Sequence, residues 1–554
     1  MYNLLIGGAA GQGIDTTAAI LEKVLKRSGY NVFTSRDFMS RIRGGHNFSL
    51  IRFGNTPIAS HSNVLDGIIA LNEETIELHK SELKADGFIL CNTGIKTDDP
   101  RAIKIDMDGM AKELGNARVA GSVSLGVLLK LFGEDLDGVE AVLQTFLSQQ
   151  VLEINVKAVA LGYKAVEKRY EKQNGDFGKW MIITGSRALS MGAMAAGLRF
   201  YSAYPMSPST TIMEFLAAKS EQAGMVVEQA EDEIAAINMA IGASYAGARA
   251  MTGTSGGGFS LMVEALGLSG MAEIPLVVVD VQRPGPVTGL PTRTEQSDLK
   301  FVVSASQGEF PRIVIALRNH TDSFYQTIRA FNLAEEYQVP VILLSDQFLG
   351  DASATVEPYD LDKIVVSKPG YQGEVSGEYL RYELTDNGIS PRLIPGRTRH
   401  MVGIDSDEHD ERGWITESAD MRIKMVDKRM RKLDGIAMQE PDFIGDDSFD
   451  TLLVGWGSVW GPLKEAVNLL NEKEQGKYAA LVFGDLIPFP QKMIAEKAEK
   501  AKKIINVEQN TTGQLAGLLR EHTRIACTGS ILKYDGRQIT GGEIAERIRK
   551  GDLS

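Results

Sequence analysis

Short apolar runs alternate along the chain with longer stretches whose apolar positions recur at helical spacing. The first run, Leu4 to Ile6, leads through the glycine-rich segment Gly7 to Gly13 into Ala18, Ala19, Leu21, Val24 and Leu25, which predicts a strand, a turn and a helix. Phe48 to Ile51, Gly67 to Leu71 and Gly87 to Leu90 continue as strands between helix-like stretches such as Val123 to Phe132 and Asp137 to Gln149. A first domain is expected over 1–170, followed by a linker at 171–180 whose charges, Asn174, Gly175 and Gly178 interrupt the pattern. Over 181–360, Phe200 to Tyr204, Met225 to Glu228, Ala248 to Thr252, Leu276 to Val281, Ile313 to Ala316 and Val339 to Leu344 alternate with helices of small residues. That alternation predicts a parallel α/β sheet with ligands at the carboxyl ends of its strands. Residues 361–448 lose the pattern, carry the charged stretch Asp405 to Arg412 and read as an extension over the second domain. From Thr451 the alternation restarts with Leu452 to Gly455, Ala479 to Phe483 and Ile504 to Val507, giving a third α/β domain over 449–554.

Length agrees: 554 residues hold three domains at roughly 100 to 200 residues each. With 43% hydrophobic and 24% charged residues, the chain has the composition of a folded globular protein. Its net charge of −13 argues against nucleic acid or an anionic membrane as a partner. Cys91 and Cys527 are the two cysteines, far apart in sequence. They offer neither a disulfide framework nor the thiolates for an iron–sulfur cluster, so an electron carrier would sit on another chain. A basic segment leading into a long apolar core is missing, as is any run of about 18 apolar residues, and a cytoplasmic location is expected.

Candidate chemistry collects at glycine and proline turns after strands. Gly8 to Gly13 suits backbone amides approaching a phosphate at a helix N-terminus. Thr16 stands where the third glycine of a dinucleotide fingerprint would be, and a tight structural turn fits equally well. Arg41 and Arg43 flank a second glycine turn and serve either as a phosphate contact or as a solvated pair. Gly484-Asp485-Leu486 resembles the start of a magnesium-diphosphate motif, but Leu486, Pro488 and Pro490 break the pattern, and no metal is expected in this chain. The second domain is richer. Tyr204-Pro205-Met206-Ser207-Pro208-Ser209-Thr210 is a rigid turn rich in hydroxyls. In Gln229-Ala230-Glu231-Asp232-Glu233, acids at a helix start ordinarily serve the helix dipole, and Glu231, directly after the strand, is expected to face the cleft. Thr252 to Gly258 repeats the strand-to-glycine turn, and Gln282 to Arg293 places Arg283 and Arg293 in a Pro/Gly-stiffened loop suited to a carboxylate.

These residues resemble the alpha subunit of the thiamine-diphosphate-dependent 2-oxoacid:ferredoxin oxidoreductases in the form with a gamma domain fused at the N-terminus. GGAAGQGI and RIRGGHN resemble the gamma domain. YPMSPST, QAEDEIAAINMAIGASYAGARAMTGTSGGG and RPGPVTGLPTRTEQSDL resemble the pyrimidine-binding domain. The third domain is similar to the transketolase C-terminal type. The resemblance implies a three-domain α/β chain and a set of roles. Ser207 takes the threonine place of the family's YPITP motif, facing cofactor and substrate, with Met206 and Ser207 replacing Ile and Thr. Glu231 matches the glutamate that contacts N1′ of the aminopyrimidine and helps remove the C2 proton. Tyr204, Pro205, Thr254 and Ser255 line the cofactor, Arg283 and Thr292 bind the 2-oxoacid carboxylate, and Arg293 could meet a second carboxylate. Gly11, Gly13 and Arg43 are the candidate coenzyme A or phosphate contacts.

A beta subunit is implied, carrying Mg2+, the diphosphate site and a [4Fe-4S] cluster, with ferredoxin as electron partner and a dimer of αβ units. The implied reaction is reversible, CoA-dependent oxidative decarboxylation of a 2-oxoacid. 2-Oxoglutarate is favoured over pyruvate or branched-chain oxoacids, because the two-subunit form with a fused gamma domain is common among 2-oxoglutarate enzymes. Two readings from other classes compete: a nicotinamide dinucleotide dehydrogenase using the Gly11-Gln12-Gly13 turn, and a non-catalytic assembly subunit.

Overall fold

The structure, a computed structural model, describes residues 1–39, 44–367, 374–474 and 476–553. It divides into two compact units, Met1–Ile183 with Asp351–Pro358, and Thr184–Gly350 with Tyr359–Ser554.

The first unit is built on an eight-stranded sheet in the order Ala102–Ile105, Leu83–Asn92, Leu65–Ala70, Tyr2–Ala10, Gly44–Gly54, Asn31–Asp37, Ser353–Val356 and Met181–Thr184. Tyr2–Ala10 runs parallel to Leu65–Ala70 and antiparallel to Gly44–Gly54. Its Leu4, Leu5 and Ile6 are all buried because both faces of the sheet are covered, Leu4 and Ile6 in one core and Leu5 in the other. Helix Ile14–Arg27 closes one face with Ile14, Ala18, Leu21 and Leu25, an apolar stripe of helical period. Two features depart from the sequence boundaries. Ser353–Val356, expected within the second domain, pairs antiparallel with Asn31–Asp37 and completes this first sheet. The segment read as a linker packs onto the same unit: Phe177 is buried and donates its N–H to Gly29 O at 3.1 Å, and Gln173 donates to the Tyr30 hydroxyl oxygen at 3.0 Å.

The second unit contains two sheets. The larger has the order Asp485–Ile487, Ile313–Ala316, Pro340–Asp346, Leu276–Gln282, Ala250–Thr254, Phe200–Ala203 and Val226–Gln229. Neighbours are parallel except for Asp485–Ile487, which adds antiparallel to Ile313–Ala316. Every residue of Leu276–Gln282 is buried, the signature of a central strand in a sheet with helices on both faces. The smaller sheet has the order Asp442–Ile444, Tyr478–Phe483, Thr451–Trp456, Lys503–Glu508 and Gly529–Leu532. The motif at Gly484-Asp485-Leu486 is structural: Arg329 grips the buried Asp485 carboxylate through both nitrogens, at 2.6 and 2.7 Å. The extension is pinned by a buried ion cluster, in which Lys428 and Lys432, on and just after helix Ala419–Arg431, hold the Glu273 carboxylate at 2.7 and 2.5 Å. Burial alone would raise the Glu273 carboxyl, but Lys432, Lys428 and Arg381 more than reverse that and hold it well below the usual carboxylate range. Among the described residues no helix is long and apolar enough to cross a membrane.

Candidate active site

Four adjacent parallel strands, Leu276–Gln282, Ala250–Thr254, Phe200–Ala203 and Val226–Gln229, deliver their carboxyl ends to one edge of the larger sheet. The residues that leave these ends are Arg283, Ser255, Tyr204 and Ala230. Parallel pairing with right-handed crossovers forces this convergence, since each strand must exit on the same side.

The acids after Val226–Gln229 separate by position. Glu231 is exposed on the turn. Asp232 is the N-cap of helix Glu233–Tyr245, its carboxylate accepting from Ala235 N at 2.7 Å. Glu233, the first helical residue, is the acid that turns inward: it is only 4% exposed, and its Oε1 has no hydrogen-bond partner. The reason is periodicity. Glu233 lies on the stripe that continues through Ala236, Ile237, Ala240 and Ile241, so the helix that buries those residues buries Glu233 as well. That spacing was present in the sequence. The glycine turn of the next strand meets this carboxyl: a Cβ on Gly258 would stand 2.5 Å from Glu233 Oε1 and 2.1 Å from Thr254 Oγ1. Glycine is therefore what lets helix Gly256–Met271 approach so closely. Thr254 and Ser255 are fully buried, and Ser255 Oγ has no hydrogen-bond partner.

On the other side, Tyr204 is 39% exposed, Pro205 half-buried and Ser207 exposed. Arg283 joins two of the strand ends by donating from Nη1 to Ser207 O at 2.6 Å. Arg283 is itself 8% exposed, and its Nε lacks a hydrogen-bond partner. Burial weakens its hold on its proton, while the charge of Asp298 works the other way. Beyond Arg283 the loop from Gly285 to Leu290 is exposed, whereas Thr292 and Arg293 are half-buried. The smaller sheet's side of this unit braces the loop. Thr294 N donates to Gly536 O at 3.2 Å, Gln296 Nε2 donates to Trp456 O at 2.8 Å, and Gln296 N donates to Gln509 O at 2.7 Å. A Cβ on Gly536 would stand 3.1 Å from Arg293 Cβ, so the arginine stem lies against that turn.

Several acids near Arg283 went unremarked in the sequence. Asp280 is fully buried within Leu276–Gln282, and burial followed by the charge of Asp298 raises its carboxyl well above the usual range. Burial pushes Asp298 up to about 6 against the opposing charge of Arg283. Glu295 is pushed up to about 7 by burial, Asp298 and Asp535. The apolar run LVVVDVQ reads as a buried strand and hides its single acid.

In the first unit Gly13 caps helix Ile14–Arg27 in the left-handed region, and a Cβ on Gly11 or Gly13 would meet nothing. Gln12 closes the turn, its Oε1 accepting from Ala9 N at 2.7 Å. Two cavities flank it. One, of about 360 Å³, is lined by Gln12, Thr16, Arg118, Ser122 and Asn155; the other, of about 390 Å³, by Gly11, Asp15, Arg36, Asp37 and Asn47. Arg43 lies outside the described residues.

Three family models together span most of the chain: "Pyruvate ferredoxin/flavodoxin oxidoreductase" at residues 3–165, "Pyruvate flavodoxin/ferredoxin oxidoreductase, thiamine diP-bdg" at 191–428, and "Pyruvate:ferredoxin oxidoreductase core domain II" at 450–544. The 2-oxoacid:ferredoxin oxidoreductase subunit alpha of a Sulfolobus species is 33% identical, the match covering 99% of this chain and 96% of that protein. The 2-oxoglutarate oxidoreductase subunit KorA of Mycobacterium tuberculosis is 33% identical over 80% of this chain and 70% of its own. A solved structure of the 2-oxoglutarate:ferredoxin oxidoreductase from Magnetococcus marinus, with 2-oxoglutarate, coenzyme A and succinyl-CoA bound, superposes with a TM-score of 0.93 at 31% identity, covering 99% of both chains. The family resemblance and the α/β architecture expected from sequence are thus both borne out. With relatives of that identity aligned over almost its whole length, this chain belongs to the alpha subunits of the 2-oxoacid:ferredoxin oxidoreductases.

Proposed function

We propose that the chain is the alpha subunit of a 2-oxoglutarate:ferredoxin oxidoreductase, which converts 2-oxoglutarate and coenzyme A to succinyl-CoA and CO2 and passes the electrons to ferredoxin. The observation that carries the reading is the buried Glu233 carboxyl, with Oε1 unpartnered beside the Gly256-Gly257-Gly258 turn, after a strand three places along the sheet from the strand that ends at Arg283. An orphaned carboxyl oxygen against a wall that admits no Cβ fits the N1′ edge of an aminopyrimidine, so the residues present suit the pyrimidine end of thiamine diphosphate. The cofactor supplies, when bound, a carbon nucleophile and an electron sink for decarboxylation. Glu233, in place of Glu231, would hold a proton at N1′, its burial strengthening that hydrogen bond. Thr254 and Ser255 would line the same end, with Tyr204 and Pro205 closing it from the neighbouring strand end. Arg283 would orient the substrate's 1-carboxylate, with Thr292 beside it and the Ser207 hydroxyl facing the reacting carbon.

Mg2+, the diphosphate contacts and a [4Fe-4S] cluster are assigned to a beta subunit, in a dimer of αβ units located in the cytoplasm. Coenzyme A fits the first unit, where the open Gly11-Gln12-Gly13 turn, the helix N-terminus and Arg118 offer donors to a phosphate. Arg293, braced against Gly536, is the residue assigned to the distal carboxylate. The test of that substrate choice is turnover of 2-oxoglutarate against 2-oxobutyrate by wild-type and Arg293→Ala complexes. Selective loss of 2-oxoglutarate is expected. Equal loss of both would remove the residue-level support for 2-oxoglutarate and leave pyruvate or a branched-chain oxoacid in contention.

A further inference from the structure

Two histidines meet on the face of the first unit's sheet that carries Leu5. His46 and Phe48 share one face of strand Gly44–Gly54, opposite Ala9 and Gly7 of Tyr2–Ala10. Helix Glu73–His79 crosses that face. A Cβ on Gly7 would stand 2.6 Å from Thr75 Cγ2, so glycine there lets the helix down onto the sheet. His79, at the end of that helix and only 7% exposed, thereby reaches His46, Nε2 to Nε2 at 2.8 Å. Its other ring nitrogen, Nδ1, stands 2.8 Å from Glu82 Oε2, and Glu82 N donates back to His79 O at 3.0 Å. Phe48 holds both rings, stacked on His46 at 5.5 Å and edge-on to His79 at 4.8 Å between centroids. His46 is half-buried, so the pair lies within reach of solvent. The chemistry proposed above uses neither histidine.

We propose that His46 and His79 bind a divalent transition-metal ion of the zinc class, each through Nε2, with Glu82 orienting His79 from its far side. The carboxylate on Nδ1 sets the tautomer: neutral His79 keeps its proton there and turns a lone pair at Nε2 towards His46. Without an ion, His46 donates its Nε2 proton across the 2.8 Å gap. The ion takes the place of that proton. His46 then carries its proton at Nδ1, both Nε2 lone pairs point at one centre, and no proton is gained or lost. The spacing suits such a pair. Two imidazole nitrogens about 2.0 to 2.1 Å from one zinc ion stand about 2.8 to 3.0 Å apart at a right angle and about 3.3 to 3.4 Å apart at the tetrahedral angle. A carboxylate on the far nitrogen of a metal-bound histidine fixes its ring and raises its basicity, which is the place Glu82 occupies. Among the described residues no group of three or more His, Cys, Asp and Glu side chains converges for a metal, so water fills the remaining positions. Imidazole nitrogens select Zn2+, Ni2+ and Cu2+ over the oxygen-seeking Mg2+ and Ca2+. The ion ties the start of strand Gly44–Gly54 to the end of helix Glu73–His79.

The test is made on the full chain, freed of metal with a chelator, desalted and titrated with ZnCl2 in a calorimeter. One Zn2+ per chain is expected, with MgCl2 giving no binding under the same conditions. His46→Ala and His79→Ala should lose the ion. His400→Ala, which alters a half-buried histidine of the other unit, should bind as wild type does. Glu82→Gln should keep the site and weaken it by about 10- to 100-fold, the usual effect of losing such a partner. The Glu82 side chain is 39% exposed, so this variant decides the matter even where a histidine variant fails to fold. Cu2+ as a probe should show, by electron paramagnetic resonance, superhyperfine coupling to two imidazole nitrogens. A histidine pair that serves packing alone predicts the opposite: no Zn2+ uptake by wild type. That result overturns the proposal, as does a His79→Ala chain that binds like wild type, a Glu82→Gln chain of undiminished affinity, or a Cu2+ spectrum with coupling to a single nitrogen. No substrate or partner subunit enters the titration, so its outcome is independent of the 2-oxoacid reading.

Discussion

Exchange of Glu233 for Gln is the perturbation that bears most closely on the acid–base assignment, and Glu231→Gln is its control. Glutamine keeps the shape and can still donate a hydrogen bond, so the packing against Gly258 and Thr254 is retained. It cannot share a proton with a ring nitrogen as a carboxyl does. Glu233 is 4% exposed with one oxygen lacking a hydrogen-bond partner, and loss of such a positioned group typically costs about 10²- to 10⁴-fold in rate. At about 1.36 kcal/mol per tenfold, that is about 2.7 to 5.4 kcal/mol of barrier. Glu231 is exposed, and its neutralisation should change the rate by less than about twofold, in line with surface substitutions generally. The assay is hydrogen–deuterium exchange at C2 of thiamine diphosphate bound to the co-purified complex, followed by rapid quench and NMR. A slow Glu233→Gln complex beside a normal Glu231→Gln complex is the expected pair. The reverse pattern would refute the argument from helix periodicity and restore Glu231 to the role.

Three further outcomes follow from the same geometry. Arg283→Ala should raise KM for the 2-oxoacid by the worth of a charge-assisted contact, about 1.5 to 3 kcal/mol, with thiamine diphosphate affinity nearly unchanged, and Arg283→Lys should recover only part of it. Gly256→Ala should impair turnover without dissociating the complex, because its Cβ would stand 2.4 Å from Asp298 Oδ2 and must displace that carboxyl; steady-state kinetics beside size-exclusion chromatography check both halves. Glu273→Gln leaves the Lys428 and Lys432 ammoniums buried without their counterion, which should cost about 3 to 5 kcal/mol and lower the denaturant midpoint of the complex while leaving KM unchanged.

The local code of this chain was largely open to reading. Strand, glycine turn and helix recur with clear periodicity, and the turns that carry Ser207, Ser255 and Arg283 do meet at one sheet edge because parallel strands all exit the same way. What escaped was of two kinds. One was non-local: the pairing of Ser353–Val356 with Asn31–Asp37 depends on a return of the chain across hundreds of residues, for which alternation along the sequence gives no signal. Tyr30 and Gly29, which tie down Gln173 and Phe177, are hidden for the same reason. The other kind was a matter of angle. Glu231 and Glu233 differ by two positions, about 200° around a helix, and extending the buried stripe of Ala236, Ile237 and Ala240 backwards shows only which of the two is buried, Glu233. Asp280 lacked even that signal, because a strand buried on both faces shows no polar side for an acid to violate.

The measurement that tests the account most directly is acyl-CoA formation by this chain co-purified with its beta subunit, offered 2-oxoglutarate, pyruvate, 2-oxobutyrate and a branched-chain 2-oxoacid in turn, with coenzyme A and oxidised ferredoxin. The account predicts succinyl-CoA from 2-oxoglutarate as the fastest product, CO2 and reduced ferredoxin in step with it, and no turnover by the alpha chain alone. A complex inert towards every 2-oxoacid, or a lone chain that binds a nicotinamide dinucleotide and turns over without its partner, would contradict it.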